Sequence, residues 1–238
     1  MQEGSNTSTR SSIGVVMPVT QVDLAAAIMM VMDENTVRPD KLILIDDSDH
    51  GCRVPDVHYE IEYMRAPRSE EEWPGVNGFW NYGAAALRGY DFVTIMNDDM
   101  TIHPHFFEMV LKAFERNKDA AVVCPRLADS ITQVGGHPKK LRVLRMDKRE
   151  GGAFTFRGPI LEKIPPIPAE LTVYFGDDWY YAWTEKMGLF WVKIMNSLIY
   201  HHGSLGIKQR NLRPRLRPER DLFEKLAKKN GLKVWWRP

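Results

Sequence analysis

Three short runs of this chain, Ile13 to Val19 (IGVVMPV), Lys41 to Ile45 (KLILI) and Val93 to Met96 (VTIM), are continuously apolar or β-branched apart from Gly14 and the leading Lys41. A strand with one wet face alternates apolar and polar residues. A strand covered on both faces does not, and parallel sheets are covered because their crossover helices lie over them. Between the first two runs, Leu24, Ile28 and Val31 recur at helical spacing within Asp23 to Asp33. Strand, helix, strand of this character predicts an α/β fold with a largely parallel central sheet.

Two of the runs close on acid. The second ends in Asp46, Asp47, Ser48 and Asp49, and the third in Asn97, Asp98 and Asp99. The carboxyl ends of parallel strands are the ligand edge of an open α/β sheet, and carboxylates beside a buried strand are costly unless paired or bound to a cation. Taken singly, each is as readily a solvated turn.

Downstream, a strand is expected near His58 to Met64, then a polar loop with Glu70 to Glu72, then a helix within Gly75 to Tyr90 whose Ala84, Ala85 and Ala86 offer a small-residue face to the sheet. Pro104 opens a helix through Phe106, Val110, Leu111 and Phe114, followed by a strand from Ala120 to Pro125. Gly135, Gly136, Gly151 and Gly152 predict hairpins across residues 131–157, with Phe154 to Arg157 a strand and Pro159 to Ile164 a short helix. Trp179, Ala182, Trp183 and Met187 share one face of a helix stopped by Gly188, and LFWVKI (Leu189 to Ile194) is the last strand before His201 and His202.

The 238 residues suffice for one large domain, and with no run of 18 apolar residues there is no transmembrane segment. Residues 1–12 are polar and read as a flexible leader. Two cysteines, Cys52 and Cys124, give neither a disulfide framework nor a metal-ligand spacing, so the default setting is reducing and cytoplasmic. The net charge of +1 hides an asymmetry: residues 208–238 hold eleven Lys/Arg against three Asp/Glu, which leaves residues 1–207 near −7.

Asp46/Asp47, Asn97 to Asp99, Asp177/Asp178 and His201/His202 each follow a predicted strand or open a helix. In this order the sequence resembles the family 2 glycosyltransferases of the GT-A fold, rhamnosyltransferase-like members among them, over Ile13 to Gly206. VVMPV at Val15 to Val19 and ILIDDSD at Ile43 to Asp49 are similar to that family's opening strand and its nucleotide-holding aspartates. NGF at Asn77 to Phe79, NYG at Asn81 to Gly83, GGAF at Gly151 to Phe154 and the Asp177-Asp178 pair look like its later motifs. Two positions depart from the pattern: Asp177 stands where the family has Glu, and Tyr180 where it often has a further acid.

The resemblance implies a single GT-A domain over residues 13–207. A Rossmann-like donor half (13–100) has a mostly parallel sheet, and a mixed acceptor half (101–207) follows. It implies a donor nucleotide held by Pro18, Asp46, Asp47, Asn77, Asn81 and Asp98, and a divalent metal, manganese or magnesium, on Asp99 and His201. It implies Asp178 as general base with Asp177 beside it, and an acceptor side at Gly152, Ala153 and Trp179, although the aromatic cluster around Trp179 also reads as core. The partners implied are a UDP-, GDP- or dTDP-sugar and an acceptor saccharide, glycolipid or modified nucleic acid.

The chemistry wants such residues. A hard cation on one or two carboxylates neutralises a departing diphosphate, imidazole favours manganese over magnesium, and a carboxylate opening a helix can take the acceptor proton. The alternatives are a nucleotidyltransferase, against which the missing Gly-rich loop after the first strand counts, and an inactive carbohydrate- or nucleic-acid-binding protein of the same fold. The basic tail reads three ways. Gln209 to Pro218 is too Pro-broken for a helix, and Pro218 then starts an amphipathic helix with Leu222, Phe223 and Leu226 as its stripe and Gly231 as its stop. With Trp235 and Trp236 it would meet nucleic acid or, peripherally, an anionic membrane surface, or it would fold back onto the body.

Overall fold

A computed structural model describes residues 10–135, 140–146 and 152–234, without the side chain of Ser197. Gly136, Gly151, Trp235, Trp236 and residues 1–9 of the leader lie outside the described residues. In chain order the first half is β1 (Ile13–Val19), α1 (Val22–Glu34), β2 (Lys41–Asp46), β3 (Glu60–Arg65), α2 (Gly75–Ala86) and β4 (Phe92–Met96). The four strands are parallel neighbours in the order β3-β2-β1-β4, with Val15 of β1 opposite Leu42 on one side and Thr94 on the other.

Unbroken apolar runs have the meaning expected of them, because both faces of this sheet are covered. Val15 and Met17 pack with Met29 and Met32 of α1, whereas Val16, one residue on, packs with Phe79 and Trp80 of α2. The alanines of α2 do not make its close approach. Ala85 and Ala86 face solvent, and Gly83 is the contact: a Cβ there would lie 2.3 Å from Val16 Cγ1, well inside van der Waals contact.

The second half adds β5 (Met100–Ile102), α3 (Phe106–Arg116), β6 (Ala120–Leu127), β7 (Val143–Arg145), β8 (Ala153–Arg157), α4 (Gly158–Leu161), α5 (Gly176–Lys186), β9 (Phe190–His201), α6 (Leu205–Gln209) and α7 (Leu216–Lys229). β8 enters antiparallel between β4 and β6, so one sheet continues as β4-β8-β6-β9-β5 with β7 also on β9. The last strand runs to His201, seven residues beyond the apolar stretch that predicted it, because its second half pairs with β5. The architecture is α/β with a mixed central sheet.

The tail folds back. Phe223 and Ala227 of α7 are buried in the core that α2 and α5 share, and Phe223 stacks on Phe175 with ring centres 5.6 Å apart. Among the described residues no helix is long and apolar enough to cross a membrane, and both cysteines are buried and outside any disulfide.

Candidate functional site

Strand order reverses at β1, which has β2 on one side and β4 on the other, and such a reversal opens a crevice at the strand ends. A pocket lies there. Pro18 of β1 and Thr20 just after it line the pocket, with Asp47 just after β2, Asn97, Asp98 and Asp99 between β4 and β5, and His201 at the end of β9. Its other wall is Trp73, Val76 and Trp80 at the start of α2, Val173, and Ile207, Arg210 and Leu212 from the chain after β9.

Asp98 ties the crevice together. Its Oδ2 accepts the backbone N–H groups of Thr20 and Gln21 and the Thr20 hydroxyl, so a carboxylate from β4 stands at the amino end of α1, a helix with no side-chain cap of its own. The helix dipole favours an anion at that point. Burial nevertheless pushes the Asp98 carboxyl above its ordinary range, against these donors.

Asp99 and His201 meet because β5 pairs with β9, which sets Met100 opposite His201. Asp99 Oδ2 accepts the Leu205 N–H at 2.8 Å, and Oδ1 lies 3.0 Å from His201 Nε2. Burial opposes the charge on Asp99, but His201 and Leu205 outweigh it and hold the carboxyl below the usual range. The ring nitrogen lies close to Oδ1 yet off the line along which an N–H would donate, so Nε2 is buried with no aligned hydrogen-bond partner. Two buried donor atoms 3.0 Å apart fit neighbouring corners of an octahedron with bonds of about 2.1 Å. Among the described residues no third His, Cys, Asp or Glu joins them. A cation held here would take its other ligands from water and substrate oxygens, as hard divalent ions commonly do.

At the end of β2 the two aspartates part company. Asp47 faces the pocket: Oδ2 accepts the Trp73 indole N–H at 3.1 Å, and Arg210 donates to Oδ1 at 2.6 Å and to the Asp47 carbonyl at 2.7 Å. Burial pushes its carboxyl up despite the Arg210 charge and the Trp73 N–H. Asp46 points the other way, fully buried, where it accepts from Ser48, Cys52, Tyr63 and Arg65 and holds the β2–β3 loop.

The remaining sequence-predicted residues stand away from the pocket lining. Asn77 donates to the carbonyls of Leu171 and Tyr174, and Asn81 both donates to and accepts from the Ile167 backbone, so the two amides fasten α2 to the loop before α5. Trp179 is core, with its N–H on the Pro165 carbonyl. Gly152 (φ +117°) passes its carbonyl to the Asn97 N–H, and Ala153 pairs with Met96. Asp177 and Asp178 open α5, as their sequence predicts, and Gly176 just before them packs on the Trp80 ring that walls the pocket. His202 turns from the pair and contacts Thr101 at 3.0 Å. Sequence reasoning passed over Arg210 and Trp73, whose ring centre is 5.3 Å from the Arg210 guanidinium. Their only signal was an arginine in a basic tail and a tryptophan closing an acidic loop.

Comparison with known proteins bears on the fold and the family. GalNAc-T7 with UDP, GalNAc and Mn2+ superposes with a TM-score of 0.58 at 12% identity, covering 80% of this chain and 43% of that one. Residues 1–349 of S. aureus TarS in complex with UDP give a TM-score of 0.56 at 11% identity, covering 79% and 60%. The chain spans about half the length of these two structures, and at such identities the likeness is one of fold, the GT-A fold. No curated protein matches the chain in sequence. The model of a sequence family described as Glycosyl transferase family 2 matches residues 15–167, from β1 to just past α4 and well over half the chain. The chain belongs to glycosyl transferase family 2.

Proposed function

We propose that this protein transfers a sugar from a nucleoside diphosphate sugar to an acceptor hydroxyl, with inversion at the anomeric carbon. The observation that carries the reading is the Asp99–His201 pair: two buried donor atoms, one without an aligned partner, at the switch-point crevice of an α/β sheet. Asp99 and His201 would hold a divalent cation, manganese before magnesium given the imidazole, which neutralises the charge that gathers on the departing diphosphate. The UDP and Mn2+ bound in GalNAc-T7 support the donor class and the metal.

The chain's own residues do the rest. Asp47, fixed by Trp73 and Arg210, offers the donor nucleotide a placed carboxylate. Asp98 keeps the β1–α1 loop against β4 and so shapes the floor. The acceptor approaches past Trp80, and Asp178 at the start of α5 takes its proton as the acceptor oxygen bonds to the anomeric carbon and the bond to the diphosphate oxygen breaks. A base so placed contributes on the order of 10²–10⁴-fold. A single base opposite the leaving group is a direct displacement.

The test screens UDP-, GDP- and dTDP-sugars for thermal stabilisation with manganese, since a bound donor raises stability by mass action. Transfer with the best donor should vanish in Asp99→Asn and Asp178→Asn while both variants stay folded. Retained anomeric configuration in the product would refute inversion, and full activity of Asp178→Asn would remove it as the base.

A further inference from the structure

The segment that carries the chain into α5 is gripped from two sides. From α2, the Asn77 side chain donates to the carbonyls of Leu171 and Tyr174, at 2.8 and 3.0 Å, and the Asn77 N–H donates to the Thr172 carbonyl. From α7, Glu219 does the converse: Oε1 accepts the Thr172 hydroxyl at 2.7 Å, and Oε2 accepts the N–H groups of Val173 at 3.1 Å and Tyr174 at 2.8 Å. Glu219 is 5% exposed, the one buried acid on an otherwise charged and solvated helix surface. The first turn of α7 favours an acid through the helix dipole, but Glu219 stands on the inner face of that turn, where Phe223 and Ala227 are its companions, rather than in solvent. Burying one is unfavourable unless it is fully hydrogen-bonded, as this one is.

The gripped residues matter for the site. Val173 lines the pocket. Phe175, next but one, has φ +64°, a left-handed conformation that a bulky aromatic residue avoids, and it is the residue from which α5 departs with Asp177 and Asp178 in its first turn. Such a turn persists only where its surroundings over-determine it, and here they are Glu219 on the preceding amides and the Phe223 ring stacked on Phe175. α7 lies outside the stretch that the family model matches.

The geometry points to Glu219 as a positioning residue for the reaction: from α7 it fixes the Thr172–Phe175 turn and with it the first turn of α5, which carries the carboxylate proposed as the base. This rests on the transferase reading above. Displacement of a reacting group by about 1 Å costs on the order of 10²-fold in rate. Glu219→Gln, which removes the charge behind these bonds and leaves one carbonyl oxygen where two carboxylate oxygens accepted, therefore lowers kcat about 10- to 100-fold. It leaves UDP affinity and donor KM within about twofold, because Asp47, Asp99 and His201 keep their partners. Glu219→Asp recovers part of kcat.

Backbone hydrogen exchange on the full-length variant supplies the second readout: faster exchange confined to Val173 to Asp178, with α1 and β1 unchanged. If Glu219→Gln keeps wild-type kcat and wild-type exchange in that segment, the assignment is overturned. If kcat, UDP affinity and the melting temperature fall together, the residue is merely structural and the assignment is again overturned. If the wild-type protein transfers no sugar from any donor, the transferase reading fails, and the exchange pattern alone then upholds or refutes the hold of Glu219 on the turn.

Discussion

Asp46→Asn separates the two aspartates at the end of β2. The wild-type side chain is fully buried, accepting from Ser48 N at 2.9 Å, Ser48 Oγ at 2.6 Å, Cys52 N at 2.7 Å, the Tyr63 hydroxyl at 2.5 Å and the Arg65 guanidinium. Burial works against its charge, the donors outweigh burial, and the carboxyl is lowered from 3.8 to about 2. At 1.36 kcal/mol per unit, that shift is worth about 2 kcal/mol. The folded value lies below the unfolded one, so the stabilisation is complete above about pH 4 and is lost as pH falls toward the folded value.

The asparagine also turns an amide N–H toward groups that themselves donate, which adds about 1–3 kcal/mol. Urea unfolding at pH 7 should therefore show the variant less stable by about 3–5 kcal/mol. The gap should narrow by about 1 kcal/mol at pH 3, because only the wild type has that carboxylate to lose. UDP affinity, measured where the variant is folded, should stay within about twofold, since Asp46 does not line the pocket. A gap that ignores pH, or a variant as stable as wild type, would sink the account of Asp46 as the ionised anchor of the β2–β3 loop.

Asp99→Asn and His201→Gln should each weaken Mn2+ binding in the presence of UDP, read by electron paramagnetic resonance, by about 10- to 100-fold; unchanged binding would move the metal elsewhere. Arg210→Ala leaves Asp47 buried without its cation, so its folded pKa, already raised, rises further. Stability is then lost as pH climbs through that value, and the urea midpoint should improve on going from about pH 7 to about pH 5 more in the variant than in wild type. Gly83→Ala sets a methyl 2.3 Å from Val16 Cγ1 on a buried strand and should destabilise by about 1–3 kcal/mol despite the better helix propensity of alanine; a stabilised variant would mean that α2 can lift from the sheet without penalty.

The first half of the chain, β1 to β4, was legible because its signals are local. Unbroken apolar strands, a 3.6-residue stripe in α1 and acids at the strand ends each state their own environment. β5 and β7, at three residues apiece, are too short to carry a period, and β9 outran its apolar run because pairing across the sheet, not composition, decides where it stops. At the site, sequence order brought Asp47, Asp98, Asp99 and His201 to one pocket. It could not tell which of two adjacent aspartates faces it, since successive residues at a strand end point to opposite sides. Asn77 and Asn81 look the same in sequence whether they hold a nucleotide or, as their hydrogen bonds show, a neighbouring loop. Arg210, Trp73 and Glu219 were illegible because each acts on a partner far along the chain, and charge in a basic tail reads as solvation.

That distance has a consequence for how the protein comes apart. Arg210 meets Asp47 across 163 residues and Leu205 meets Asp99 across 106, so the pocket exists only when nearly the whole chain is folded. Loop closure on this scale is slow to form and dear to hold before the sheet is complete. A ligand seated there should report on global rather than local stability: UDP, if it binds there as proposed, would protect the interior amides of β1 and β9 alike from exchange, and a nascent chain would gain this pocket in the last stage of folding.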